Sequence, residues 1–539
     1  MLRVGLRFQR SSVIGYTLLG AFLALLQVAG FERVAGTTAA ERAAFASQME
    51  VFGRQISYLL PLPVRVDTLG GFLQWRLYGI FPVVFAFWAV LAATSIARGE
   101  EERGLTDCWL SAGVSRLRLV VTGTAAFLGT AAAVLAVVAL VTGAAAAAAG
   151  AGLGAGALAA QSAALLALTG CCFGIGLIGG QLMPARRSAA GLAGGILLVL
   201  FFLNSLARSS DALSSWSWIS PFHYYDRTQA LIPGGRFDLP ATAALVGGLA
   251  AFASLAVAAF RARDAGAPLL RRRPADSRPH YLPSFNPLLR QPVPASLYEQ
   301  RTSLVVWVAG SCLGALFIAQ VTRSTVDLLQ NIPALRFYLV QAGHGSPYQA
   351  YLGVFWFGVM QLVLAAFAIV QVARWASDDA EGRLEMMLSA PVRRWRIVLE
   401  RALALTIGCT FLVAASSAVL GLAAAAHQLG VEAGRLAQAS LLLLPFALSF
   451  GAAGAALSAY LPRVAVPVLS AVATAGYFLQ QIGPLLQLPD WTLDLSVFRL
   501  YGNPLGTGVY WRGLEILMAT GAAGFAAAMV AMQTREVGR

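Results

Sequence analysis

The side chains that could do chemistry are few, and their spacing mostly excludes reactions. Five cysteines (Cys108, Cys171, Cys172, Cys312 and Cys409) lack metal-ligand spacing, and each lies in or beside an apolar stretch. They read as small buried hydrophobes, not as a disulfide or zinc framework. The four histidines, His223, His280, His344 and His427, are scattered. Asp226 beside Tyr225, and Asp490 with Asp494, are carboxylates that an enzyme acting on lipid-linked substrates could use. Beyond His223, three residues before Asp226, no base, metal-ligand set or phosphate cradle lies near either in sequence. All 39 basic residues are arginine. A nucleotide-binding P-loop needs a lysine to reach the phosphates, so this chain carries no standard one.

A different group of residues occurs twice. The stretch EGRLEMMLSAPVRRWRIVLE (381–400) has a weaker copy, RGLTDCWLSAGVSRLRLVVT (103–122), and Gly104–Val120 matches Gly382–Val398 at eight of seventeen positions without a gap. In the downstream copy Leu384, Met387 and Leu388 share one helical face, with Glu381, Arg383 and Glu385 on the others. Asp378 and Asp379 precede it, where acidic groups favour the positive end of a helix. Pro391 disfavours continuation, and Arg393, Arg394 and Arg396 follow. Each copy therefore predicts a short amphipathic helix. A membrane-surface anchor would account for one such helix. Two copies, with acidic residues that anionic headgroups repel, favour a docking site for a protein that is present twice or is two-fold symmetric.

The elements that must hold these helices out are apolar. The chain has 539 residues, 58% hydrophobic and 12% charged, with a mean hydropathy of +0.69; a soluble domain carries about 25% charged residues. Twelve stretches are long enough to cross a bilayer: near 12–31, 77–97, 119–142, 157–181, 188–207 and 241–260, then near 303–321, 350–373, 397–426, 437–461, 464–481 and 513–533. With both termini in the cytoplasm, 26 arginines face inward and 13 outward, as the positive-inside rule requires. This distribution explains the net charge of +14 without nucleic acid. Further matches keep the same order: QRSSVI (9–14) with QRTSLV (300–305), LMPARR (182–187) with YLPRVA (460–465), and SPFHYY (220–225) with SVFRLY (496–501). They argue for a duplicated six-span unit in parallel orientation. The expected fold class is an all-α integral membrane protein of twelve transmembrane helices in two parallel six-span repeats. Residues 1–262 form the first half, with its loop helix near 100–118. Residues 302–539 form the second, with its loop helix near 378–396. Between them, 263–301 is a cytoplasmic linker rich in proline and arginine, whose last part, like the first ten residues of the chain, could form a short interfacial helix.

The sequence ASDDAEGRLEMMLSAPVRRWRIVLER resembles the coupling-helix region of ABC-2 type permeases, the membrane subunits of one exporter class. Glu381, Gly382, Leu384, Glu385, Leu388, Ser389, Pro391 and Arg394 fit that pattern. The upstream copy keeps Gly104, Asp107, Leu110, Ser111 and Arg116, with Glu102 close by, but has Gly113 in place of proline. The fused twelve-span arrangement is similar to antibiotic and multidrug exporter permeases of high-GC bacteria. The resemblance implies two copies of a separate ABC ATPase docked on these helices, with ATP and Mg bound by the ATPase and no cofactor on this chain. It also implies an inner-membrane location and hydrophobic or amphipathic cargo moved outward through the membrane. The departure at Gly113 implies unequal docking sites.

Two aromatic loops, 214–231 and 490–508, precede the last span of each half. Aromatic residues gather at membrane interfaces in any case; in the family resembled, Phe222, Tyr225, Phe498 and Tyr501 would instead cap the exit path on short re-entrant helices. Gln361 lies mid-span, as a residue of the cargo path or as half of an interhelical hydrogen bond. No acidic or basic group falls clearly mid-span, unlike the relays of ion-coupled carriers. Such a carrier is the main alternative to an ATP-driven exporter; a membrane enzyme and a ligand sensor fit less well.

Overall fold

The computed structural model describes residues 2–55, 61–208, 214–269, 291–331, 346–380, 382–389, 393–482 and 489–534. Eleven helices among them are long and apolar enough to cross a membrane, and a shorter apolar helix, Val464–Gln480, stands where the remaining span is expected. The chain is an all-α membrane protein. Its strand content among the described residues is the pair Gly502–Asn503 and Gly508–Val509. The chain divides into two compact units, Met1–Ser277 and Arg278–Arg539.

In the first unit the spans are Ser12–Ala35, Phe81–Glu102, Arg116–Ala148, Ala155–Leu182, Arg186–Ala207 and Leu239–Ala262, numbered 1 to 6 here. In the second they are Arg301–Arg323, Pro347–Asp379, Arg394–Ala426, Ala433–Tyr460, Val464–Gln480 and Trp511–Thr534, numbered 7 to 12. The first ten residues form no separate helix: Leu2–Ala35 is one continuous helix. The linker does end in a helix, Pro292–Glu299, which packs on the helix of span 9.

Span 4 is the hub of the first unit, with 78% of its apolar window buried. Its glycines explain why it can be. A Cβ on Gly176 would come within 2.7 Å of the Ala93 side chain, and one on Gly180 within 2.6 Å of Ala97, both on span 2. Gly174, on another face, would meet Phe252 of span 6 at 2.8 Å. Within lipid, helix association relies on this close approach of backbones, because burial from water no longer drives it. Span 10 plays the same part in the second unit, where Gly454 lies against Val372 of span 8 and Gly524 of span 12 against Ala452. Spans 1, 5, 6 and 7 keep large apolar side chains outward, such as Leu18, Val199, Leu255 and Val305. Such surface suits hydrocarbon, because every backbone group behind it is already bonded within a helix.

Candidate functional site

Both loop helices form, and their backbones agree in detail. They run Leu105–Ser111 and Arg383–Ser389. Each follows a glycine in the left-handed region, Gly104 at φ +71° and Gly382 at φ +70°. This conformation costs an L-residue with a Cβ roughly 1–2 kcal/mol, which explains why glycine recurs there. The turn breaks the long preceding helix and re-aims the chain. Gly104 N donates to the Glu101 carbonyl at 3.0 Å and Gly382 N to that of Asp379 at 3.2 Å. One turn further on, Ser111 Oγ donates to the Cys108 carbonyl and Ser389 Oγ to that of Met386.

The exposed and buried faces also correspond. Thr106 and Leu384 point inward, Leu384 only 2% exposed. Outward stand Asp107 and Cys108 in one helix, and Glu385, Met386 and Met387 in the other, with Met386 68% exposed. Leu110 and Leu388 are half-buried. Cys108 is thus an exposed thiol, contrary to the expectation of a buried one, whereas Cys171, Cys172 and Cys409 are buried. Glu381 and Pro391 lie outside the described residues.

The arginine after each helix has a definite task. Arg116 donates through Nη1 to the carbonyls of Phe260 and, at 2.8 Å, Arg263, at the end of span 6. Arg394 donates to the Met532 carbonyl, near the end of span 12, at 3.3 Å. The last carbonyls of a helix lack partners within it and carry its negative end, so a cation is favoured there. Glu102 is exposed and accepts a hydrogen bond from Arg186 N at the start of span 5. It is Glu101, one residue earlier, that turns inward.

At the opposite end of each unit the aromatic residues sit on short helices, Pro221–Asp226 and Val497–Tyr501. Ser220 and Ser496 begin them identically. Each accepts from the backbone N–H two residues on, and each donates at 2.8 Å to a carbonyl of the preceding span helix, Leu200 or Gly476. Phe222, Tyr225, Phe498 and Tyr501 are all buried within their own unit, and not spread along a surface belt. Tyr225 Oη donates to the Tyr78 carbonyl at 2.9 Å and accepts from Gln161 Nε2 at 3.0 Å. Tyr501 Oη donates to the Ala439 carbonyl at 2.9 Å. Burial holds both phenols well above their usual pKa, so both stay protonated donors. Gln361 is buried and donates through Nε2 to the Phe498 carbonyl at 3.3 Å, making the interhelical bond. Gln161, missed in the sequence, plays a related part in the first unit.

The loop carboxylates are ion-paired. Asp226 is held by Arg208 and Asn204, each at 2.8 Å. Asp490 and Asp494 share Arg499.

Two six-helix membrane units, each presenting a helix after a left-handed glycine and each closed at its far end by a buried aromatic turn, define a polytopic membrane permease. The chain belongs to the family described as multidrug efflux system permease Rv1217c, C-terminal domain, whose model matches residues 2–261 and 289–533. A relative from Mycobacterium tuberculosis, the multidrug efflux system permease protein Rv1217c, is 26% identical over 506 residues, covering 92% of this chain and 87% of the relative. This membership agrees with the resemblance to ABC-2 type permeases of high-GC bacteria.

Proposed function

We propose that the chain is the membrane-spanning permease of an ATP-driven exporter of hydrophobic or amphipathic small molecules, drugs or lipid-like compounds among them. Two copies of a separate ATPase dock on the Leu105–Ser111 and Arg383–Ser389 helices. The chain itself binds no nucleotide, and ATP and Mg belong to the partner. The arginine distribution supports an orientation with these helices and both termini on the cytoplasmic side and the aromatic turns facing outward, in what we take to be a bacterial inner membrane.

The observation that carries this reading is the recurrence of one geometry at two places 278 residues apart in the sequence. The same left-handed glycine, the same inward position, Thr106 or Leu384, and the same arginine bond to the last span support two attachments of one kind. Within the docking reading the residues divide by burial. Leu384 anchors its helix; Asp107, Glu385, Met386 and Met387 face the partner, with Leu110 and Leu388 at the edge. Gly104 and Gly382 set the angle, and Arg116 and Arg394 tie each helix to the last span of its half. Closure of the ATPase dimer on ATP would push both helices and open a path past the aromatic turns of Phe222, Tyr225, Phe498 and Tyr501, with Gln361 behind them.

The test is association. Glu385→Arg together with Met386→Asp should abolish recovery of the ATPase with the permease while leaving membrane insertion and yield unchanged. Unaltered association would overturn the docking assignment. Within the motif the downstream helix should couple more strongly: Leu388→Asp is expected to lower transport more than Leu110→Asp, and equal losses would overturn the asymmetry.

A further inference from the structure

Among the described residues the buried charged side chains are Arg98, Glu101 and Arg263, each 6% exposed or less. All three belong to one network. Glu101 accepts from Arg263 through both oxygens, at 2.8 Å each, from Arg98 Nη1 at 2.8 Å and from the Gly266 backbone N–H at 2.7 Å. Arg263 donates further to Gln181 Oε1 on span 4 at 2.8 Å and to the Ala267 carbonyl at 2.9 Å. Arg98 donates to the Pro184 and Gly266 carbonyls. Leu269 N adds a bond to the Gln181 carbonyl. Two cations lie over the Phe260 ring, Arg116 at 5.0 Å and Arg263 at 4.9 Å from its centroid.

Position makes this cluster more than a buried ion pair. Glu101 stands three residues before Gly104, in helix that follows a π-helical segment, Ser95–Gly99. Arg263 is the first residue after span 6, and Gly266 and Ala267 begin the linker. Both arms of the loop are therefore fixed to the same piece of chain, the arm before the helix through Glu101 and the arm after it through Arg116. Among its described residues the second unit buries no charged side chain. Positions 278 residues on from Arg98 and Glu101 hold Ala376 and Asp379, and the helix Pro347–Ala380 runs through without a π segment. The neighbouring Asp378 pairs with Arg383 and Arg401 while 27% exposed. A small cleft lined by Trp375, Leu384, Arg401 and Met532 opens nearby. Burying ions contributes little net stability even when they are well paired, and removing one partner strands the other. Such a network holds geometry.

We infer that Glu101 is a positioning residue that locks the Leu105–Ser111 helix to the end of span 6 and the start of the linker, so that they move as one body. Resting on the docking reading above, this makes the first half the rigid arm of the transporter: displacement of its loop helix reaches span 6 and the linker directly. The second half lacks this buried lock among its described residues.

The lock can be measured without the ATPase. Nitroxides on the exposed Cys108 and on a cysteine placed by Ala265→Cys, in a full chain also carrying Cys312→Ser, report the distance between loop helix and linker. A single narrow distribution is expected. Glu101→Gln should broaden it, Gln181→Ala should broaden it less, and Glu101→Asp, which keeps the charge, should retain most of the narrow component. A Glu101→Gln distribution as narrow as the parent's would overturn the lock. In proteoliposomes holding the permease with its co-purified ATPase, Glu101→Gln should lower ethidium efflux per ATP hydrolysed by about tenfold while hydrolysis persists. Efflux and hydrolysis falling in proportion, or an unchanged ratio, would overturn transmission through Glu101. A parent complex without ATP-dependent efflux would count against the exporter reading, and the distance widths would still decide the lock.

Discussion

Gly104 and Gly382 show how much can rest on a missing Cβ. Neither position is crowded, since a Cβ there would meet nothing within 4 Å; the requirement is the positive φ alone. Replacing either with alanine should cost roughly 1–2 kcal/mol, whereas asparagine, which tolerates the left-handed region, should cost less. Thermal midpoints of the purified chain would test this, and equal losses for Ala and Asn would contradict it. The tyrosines make a second contrast. Tyr225 joins the Tyr78 carbonyl and the Gln161 amide, both buried, while Tyr501 serves the Ala439 carbonyl. Leaving buried polar groups unsatisfied costs about 1–3 kcal/mol each, so Tyr225→Phe should destabilise more than Tyr501→Phe. The reverse order would show that Gln161 finds another partner.

At the level of the element, each loop helix has an inner side that holds it and an outer side available to a partner. Leu384→Ala should cost about 2–5 kcal/mol, as truncation of a buried leucine does, while Met386→Ala, at a 68% exposed position, should stay within about 0.5 kcal/mol. Denaturation of the two variants side by side checks this, and similar losses would mean that the helix packs differently. Hydropathy and the glycine-centred repeat made eleven spans, the shorter apolar helix Val464–Gln480 and both loop helices legible in the sequence. Length, alternation of apolar faces and the glycine turn are local properties. Which side of each helix faces inward was only partly readable: Leu384 and Met387 look alike in the pattern, yet one is buried and the other exposed. The network around Glu101 was not readable at all. It joins residues at 98, 101, 181 and 263, and in sequence each is an ordinary polar group at the end of a span. The π-helical segment that precedes Glu101 has no sequence signature that hydropathy reveals. Ser220 and Ser496, by contrast, stood within matched segments, and the repeat already marked their loops.

Across the whole molecule, two units of similar plan differ at the point where force would enter. Among the described residues the first carries a buried charge cluster behind its loop helix, and the second a part-exposed aspartate and a cleft. The orientation drawn from arginine gives a direct expectation. A membrane-impermeant maleimide should label Cys108 in inside-out vesicles and leave it unlabelled in right-side-out ones; the opposite pattern would invert the topology. The central claim is that an ATPase working in trans drives this permease through two attachments. It is tested most directly by mild-detergent capture of the full chain from its native membrane, followed by mass spectrometry and an ATP hydrolysis assay. The account predicts a P-loop ATPase recovered at two copies per permease, with hydrolysis in the captured material. A permease recovered alone, carrying proton-gradient-driven transport in vesicles without any ATPase, would contradict it.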